Sequence, residues 1–411
     1  MINFVELIFY IYLFVALYMT SLLVFIWVPN HRKLFDYPVG KPVPVSVVIP
    51  CYNAEKTIGK AIESVLALNY PKELIEIIVV DDKSKDNSVR VIESYLSKYK
   101  NIKLIKHKVN CGGAAGTTNT GVKVAKYDYI CVTDDDSAPE HDALIKMIGF
   151  LQNDNNVAAV TCAVMARGSS TLMQKLQMIE YSIISWNRRL LDFIDAVYVT
   201  PGPFALYRKS VLLDVGLFDV KNMTQDIEIV WRLRSMGYKA RMCLAAKVYS
   251  ETPLKFKNWW KQRVRWNIGG LQCLVKYKSF IFKNGMLGGF IIPFFSVSLF
   301  LGFFGLGLFI YLLFKRLIIN FLVTKYSIYG GITLVRLQDL SLHPTFLNFF
   351  GVVMFIWGFI FVLIGLGIMD MRGRKETNTF NILSYLLVYL SIYPFIMVAS
   401  LYKYMRGKYS W

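Results

Sequence analysis

The sequence predicts an α/β domain with a mostly parallel sheet, accompanied by helices that cross a membrane. Three observations predict it. Val- and Ile-rich runs alternate with segments of helical periodicity between residues 45 and 135, the pattern of strand–helix–strand units. Acidic residues close two of those runs, at the edge where such sheets gather ligands. Apolar stretches of about 20 residues, enough to cross a bilayer, lie towards both ends of the chain.

The composition agrees. Of 411 residues, 55% are hydrophobic, and the mean hydropathy is +0.41, high for a soluble protein. The formal net charge of +19 points to anionic partners: nucleic acid, acidic lipid headgroups or a diphosphate. Basic flanks on membrane spans supply part of that charge. Six cysteines occur without a CxxC pair, as expected of free thiols in a reducing cytoplasm. The four histidines make no zinc-ligand pattern.

The first apolar stretch runs from about Val5 to Val28, with Glu6 near its start and His31, Arg32 and Lys33 after it. No small-residue cleavage site follows, so a retained anchor is expected. Its basic flank places the following residues in the cytoplasm. Apolar stretches return at about Met286–Phe314, Phe346–Met369 and Ile382–Leu401, and Arg372, Arg374 and Lys375 read as a cytoplasmic loop. Four spans result, although Lys403, Arg406 and Lys408 then lie outside, against the charge rule. Leu317–Val335 carries Lys325 at its centre and is a poor fifth span. The expected division is an anchor (residues 1–29), a cytoplasmic domain (30–280) and a C-terminal membrane block of about three spans (281–411).

Within the domain, "VSVVIPCYN" is a buried-strand run and "TIGKAIESVLALN" follows with helical spacing. "IEIIVVDDKS" is a second strand closing on Asp81 and Asp82. "NSVRVIESYLSKY" is a helix with Asn87 or Ser88 as its cap. "IKLIKH" and "YDYICVTDDD" are further strands. Neither G-x-G-x-x-G nor a P-loop occurs, so the usual dinucleotide and nucleoside-triphosphate readings lack support. "NCGGAAGTTNTG" is a Gly-rich turn into a helix, and its small residues would also let backbone approach a nucleotide. Asp134–Asp136 repel one another unless a cation compensates them. Strand alternation would put Asp134 and Asp136 on one face. Such a pair can hold Mg²⁺ or Mn²⁺, whose other ligands are substrate phosphates and water.

These motifs resemble the membrane-embedded family 2 glycosyltransferases, including hyaluronan, chitin, cellulose and poly-N-acetylglucosamine synthases. The resemblance covers about residues 44 to 270. "VVIPCYN" matches their opening strand and "VVDDKS" their second acidic strand end. "DDDSAP" fits their D-x-D followed by Pro, "TPGPFALYR" their acceptor-side loop, and "TQDIEIVWRL" their T-E-D helix start, with Gln225 replacing the usual Glu. "QRVRW" fits their Q-[QR]-x-R-W motif.

The resemblance implies a GT-A-like domain that binds a nucleotide sugar, with UDP as the expected nucleotide. Asp81 and Asp82 would approach the nucleoside or its diphosphate, and Asp134 and Asp136 would hold the metal. Arg263 and Arg265 would pair with the diphosphate, because guanidinium forks match phosphate oxygens. Gly202, Gln262 and Trp266 would meet the acceptor, Trp266 by stacking on a sugar face. Asp226 would take the acceptor proton during attack; as the start of a helix it also suits a capping role. Direct attack inverts the anomeric centre.

Trp259 and Trp260 are expected at the bilayer surface on an interface helix. "LMQKLQMIEYSIISWNRRLL" is amphipathic and suits either a second interface helix or a core helix. The expected activity is processive, inverting transfer to a growing β-linked polysaccharide that the enzyme itself exports. Its partners would be donor, glycan and membrane lipid, not nucleic acid. The runner-up is a single addition to a polyprenyl phosphate or other lipid. A non-catalytic transporter or sensor is disfavoured, because binding alone does not need a positioned base.

Overall fold

A computed structural model describes residues 4–330, 346–371 and 373–407. In chain order, α1 (Phe4–Asn30) leads into β1 (Val45–Cys51), α2 (Ile58–Leu66), β2 (Ile75–Asp81), α3 (Ser88–Leu96), β3 (Ile102–Lys106) and α4 (Ala114–Val124). β4 (Tyr129–Val132), β5 (Ser137–Pro139), α5 (Ala143–Asn153), β6 (Val157–Arg167), α6 (Leu172–Phe193), β7 (Ala205–Arg208) and α7 (Lys209–Asp214) follow. The rest comprises α8 (Gln225–Ser235), β8 (Lys239–Glu251), α9 (Phe256–Tyr277), α10 (Ile292–Gly330), α11 (Phe346–Ile368), α12 (Thr379–Ser384) and α13 (Tyr393–Met405).

The strands form one sheet in the order β3-β2-β1-β4-β7-β6-β8-β5. β1, β2, β3 and β4 pair in parallel, as the alternating pattern predicts. β7 then runs antiparallel to both β4 and β6, and β5 runs antiparallel to β8. The sheet is therefore mixed but mostly parallel, with only β7 and β5 reversed. Short β7 and β5 lack the apolar runs that announce β1 and β2.

Both faces of the sheet are covered, which explains those continuous apolar runs. Val45, Val47 and Ile49 of β1 face one core with Ile58, Ile62 and Val65 of α2. Val48 faces the other core, which contains Val122 of α4 and Ile179 and Trp186 of α6. Gly121 of α4 makes that approach possible: a Cβ there would lie 2.3 Å from Val48 Cγ1.

Helix α6 joins the sheet to the apolar helices. Its stripe of Leu176, Ile179, Ile183, Trp186 and Leu190 is buried in the core that includes β6, β8 and α11. Trp186 meets Phe361 of α11 at 4.6 Å and Trp27 of α1 edge-on at 6.4 Å. The helix thus has the core role and also the contact with the apolar helices α1 and α11. Arg189 adds a polar clamp, donating to the carbonyls of Lys33, Leu34 and Asp36 beyond α1, to Met242 O of β8 and to Asp192.

Among the described residues, three helices are long and apolar enough to cross a membrane: Tyr10–Lys33, Leu287–Gly330 and Thr379–Met405. Phe355–Ile368 of α11 is a shorter apolar stretch. The middle one is continuous over 44 residues, roughly 66 Å at 1.5 Å per residue, about twice a hydrocarbon core. Leu317–Gly330 is therefore the end of α10, not a separate span, and the remainder of that candidate lies outside the described residues.

The α6–α11 junction depends on Gly365, where a Cβ would fall 2.5 Å from the Trp186 ring. Gly365→Leu should cost about 1–3 kcal/mol by overpacking and lower the thermal midpoint of the detergent-solubilised protein. Gly358→Leu, on the same helix with open space around its Cβ position, serves as the control.

Candidate active site

Loops after the parallel strands build one side of the site. β1 ends at Cys51 and β2 at Asp81, and the two following loops are tied together. Asn53 N donates to Ser84 Oγ at 3.0 Å, and Lys85 N donates to Asn53 Oδ1 at 2.8 Å. Asp81 and Asp82 are both buried. Asp81 accepts from Ser84 N at 3.3 Å. Asp82 faces His107 Nδ1 at 2.8 Å and accepts from Cys111 N at 2.9 Å.

β4 stops at Val132, so strand alternation is not what brings Asp134 and Asp136 together. A turn does: Ser137 N donates to Asp134 O at 3.2 Å, and the chain enters β5. All three aspartates remain partly exposed. Asp135 is drawn aside, accepting from Tyr52 N at 3.2 Å. Asp136 accepts from Ser137 Oγ at 3.0 Å and Ser250 Oγ at 3.3 Å. Burial pushes the Asp134 carboxyl well above its usual range, and the charges of Asp136, Asp135 and Asp226 push it further. Burial raises Asp135 to about 7 and also raises Asp136.

Gly202 stands against this cluster. A Cβ there would lie 2.7 Å from Asp134 Oδ1 and 2.8 Å from Oδ2. The small residue keeps open the space beside the carboxylate. An acidic cluster with room at its oxygens suits a hard divalent cation.

Asp226 occupies the first turn of α8. Its backbone carbonyl accepts from Thr200 N at 3.3 Å, tying this turn to the Gly202 loop. Burial raises its carboxyl pKa, with the Arg265 charge opposing. Arg265 lies close enough to feel both Asp226 and Asp134. The seating of α8 comes from Glu228, a fully buried carboxylate. It accepts from Arg232, from Lys276 Nζ at 2.6 Å and from Tyr277 OH at 2.8 Å. Gly269 lets α9 pack there, since its Cβ would lie 1.9 Å from Thr224 Oγ1.

Arg263 departs from its expected place. It is fully buried and ion-paired with Glu180 of α6. Tyr389 OH donates to the same carboxylate at 2.7 Å, and Tyr393 OH to its other oxygen. The Arg263 guanidinium also lies 4.0 Å from the Trp266 ring centroid, and Gln262 Oε1 accepts from it at 2.9 Å. Helical geometry accounts for this. Arg263 and Trp266 are three residues apart on one face, while Arg265 turns to another. Trp259 is likewise buried rather than bilayer-facing, because its Nε1 donates to Tyr389 OH at 2.6 Å. Trp260 is half-buried.

The sequence reading overlooked Glu180, Tyr389 and Arg188. A single acid within the apolar stripe of α6 could have flagged Glu180. Arg188 is buried, and its Nε and Nη1 have no hydrogen-bond partner among the described residues. The Asp226 charge reaches it.

A glycosyl transferase family 2 model matches residues 46–216, the stretch that contains the strand ends, the aspartates and Gly202. Over that stretch the chain is similar to the family 2 glycosyl transferases. The poly-beta-1,6-N-acetyl-D-glucosamine synthase of Staphylococcus aureus (strain COL) is 34% identical over 246 residues, 60% of this chain and 59% of that protein. The Staphylococcus epidermidis protein of the same name is 34% identical over 250 residues, 60% of each chain. The match thus spans about three fifths of the relatives' length. A solved structure, the mannosyltransferase PcManGT from Pyrobaculum calidifontis in complex with GDP-Man and Mn²⁺, aligns with a TM-score of 0.53 at 16% identity. It covers 98% of this chain and 99% of the other. The chain therefore has a GT-A-like fold.

Raised carboxyl pKa values mean that the folded domain holds more protons than the unfolded chain, so stability falls as pH rises. For Asp135 the window runs from about 4 to about 7. Without divalent metal, the thermal midpoint of the purified protein should drop between pH 5 and 7.5. Mn²⁺ should restore it at pH 7.5 and do little at pH 5. Gly202→Ala should remove the Mn²⁺ response. A midpoint that rises with pH in the metal-free protein would contradict this electrostatic picture.

Proposed function

We propose that the protein is an inverting glycosyltransferase that lengthens a β-linked polysaccharide from a nucleotide-sugar donor. N-acetylglucosamine, carried on UDP, is the first candidate sugar. The observation that carries the reading is the convergence of the partly exposed Asp134–Asp136 turn, Asp226 and Arg265 at one strand edge. The 34% identical relatives named as polysaccharide synthases support the polymer and the sugar.

In this reading the loops after β1 and β2 hold the nucleoside, with Asp81 and Asp82 at its edge. Asp134 and Asp136 hold Mg²⁺ or Mn²⁺, which when bound stabilises charge on the departing diphosphate. Arg265 serves the same charge from the protein side. Arg263 has no direct part, being consumed by Glu180. Asp226 accepts the acceptor hydroxyl proton as that oxygen attacks. Its raised pKa makes it a stronger base than an exposed aspartate, and the Arg265 charge opposes that rise. Trp266 supports the acceptor sugar from one face, with the Arg263 guanidinium against the ring. Arg188 offers unpaired donors for acceptor hydroxyls. The domain lies on the cytoplasmic side, and the apolar helices form a path for export.

Product analysis with labelled UDP-N-acetylglucosamine tests the reading: a ladder or polymer is expected, whereas one sugar on lipid would sink it. Asp226→Asn should lose at least about 10²-fold in turnover, the scale of general-base catalysis, while nucleotide affinity stays near wild type. Loss of both together would make Asp226 a structural or donor-binding group.

Trp266→Ala and Glu180→Gln should share a phenotype. Nucleotide release persists while product shortens, because each disturbs the acceptor platform and leaves Arg265 in place. Misplacing a nucleophile by about 1 Å can cost roughly 10²-fold. Full-length product from Trp266→Ala would remove Trp266 from the acceptor site.

A further inference from the structure

Three side chains from separate segments converge at the outer edge of the strand ends. Asp82 follows β2, His107 follows β3, and Cys111 lies in the loop that opens α4. His107 Nδ1 is 2.8 Å from Asp82 Oδ1 and 3.2 Å from Cys111 Sγ. All three ligand atoms fall within 4.8 Å of one another. Burial grades outward from Asp82 through His107 to the exposed Cys111, so the cluster opens to solvent on the thiol side.

The hydrogen bonding around the ring is informative. The Thr120 hydroxyl donates to Gly116 O at 3.2 Å, which leaves its oxygen facing His107 Nε2 at 3.0 Å. In the tautomer with the ring hydrogen on Nε2, Nδ1 turns a lone pair towards a carboxylate oxygen. Two acceptors so close repel unless something positive lies between them, either a second ring proton or a metal ion. An outer hydrogen bond on one ring nitrogen is also how metal-binding histidines are oriented. The rest of the ligand set is held in place. Cys111 N donates to both Asp82 oxygens, at 2.9 and 3.0 Å, and Asn110 Nδ2 donates to Asp82 O at 2.8 Å.

We propose that Asp82, His107 and Cys111 form a binding site for a thiophilic divalent cation, Zn²⁺, separate from the Asp134–Asp136 pair. Carboxylate, imidazole and thiolate together are a zinc ligand set, whereas Mg²⁺ prefers oxygen alone. Three protein ligands leave the fourth tetrahedral position to water. On binding, the Cys111 thiol proton leaves to solvent, with any proton on Nδ1. Bonds from the metal to S, N and O form, and nothing is oxidised or reduced. Asp82 is also the carboxylate assigned to the nucleoside edge, and this second step rests on that proposed role. An ion held there would exclude the donor, so Zn²⁺ would act as a brake on transfer.

The test uses the full chain, reduced and purified in detergent, with excess Mg²⁺ present and Co²⁺ as the spectroscopic probe. Wild type should show a near-ultraviolet cobalt–thiolate band saturating at one equivalent and bleached by Zn²⁺. Cys111→Ser should lack it. The other five cysteines are buried, so the band reports on this thiol, and an exposed side chain can be changed without threatening the fold. No band in wild type, or an equal band in Cys111→Ser, overturns the site and leaves a ring proton as the cation between Nδ1 and the carboxylate. Nucleotide release is then measured at several donor concentrations with Zn²⁺ added. Inhibition should be relieved by donor, and Cys111→Ser should need at least about tenfold more Zn²⁺. A cobalt band with inhibition that donor does not relieve keeps the metal site and overturns the contact between Asp82 and the nucleoside.

Discussion

Glu180 is the acid on which the arrangement of the membrane-proximal half depends. It sits in the middle of α6, buried, between the sheet and the apolar helices. One oxygen takes Arg263 and Tyr389 and the other takes Tyr393. A carboxylate in that position is tolerable only when its lone pairs are filled and its charge is matched. The partners come from α9 and from the last apolar segment, so satisfying one carboxylate fixes three elements together. Removing one partner from such a pair costs about 3–5 kcal/mol. The geometry around Trp259, Arg263 and Trp266 follows from that requirement.

The same logic recurs at two other buried acids. Glu228 seats α8 on α9 and thereby places Asp226. Asp192 accepts from Arg189, from Arg241 Nε at 2.7 Å and from Met242 N at 3.1 Å, joining α6 to β8. The acids of the Asp134–Asp136 turn differ in kind. Asp134, Asp135 and Asp136 crowd together with few donors, and their pKa values rise. The three structural acids are each paired, whereas the turn gathers more negative charge than its neighbours match. That contrast separates the two groups without reference to any motif.

Much of this was legible in the sequence because short-range patterns encode it. The apolar runs of β1 and β2, the helical spacing of α2 and α3, and the acidic closes at Asp81–Asp82 and Asp134–Asp136 all depend on neighbours within a few residues. The antiparallel entry of β7 was not legible, since a four-residue strand carries little pattern. The split between Arg263 and Arg265 was hidden for another reason. Two residues apart on a helix point to different faces, and which face meets the acids depends on Glu180, more than 80 residues earlier. Gly202 was noticed as small, but only the packed structure shows that the room it leaves belongs to Asp134.

The Arg189 clamp has a consequence for the order in which the protein is made. Its carbonyl acceptors at Lys33, Leu34 and Asp36 leave the ribosome 153 to 156 residues before Arg189 does. The first helix and its tail must therefore wait, unclamped, through the synthesis of β1 to β6. The tyrosines that complete Glu180 arrive later still, 209 and 213 residues after it. Until then a buried acid lacks its hydroxyl donors, and the Trp266 platform has no rigid backing. The clamp on the first helix and the hydroxyl donors of Glu180 can thus close only after much of the sheet has been made, the hydroxyls last.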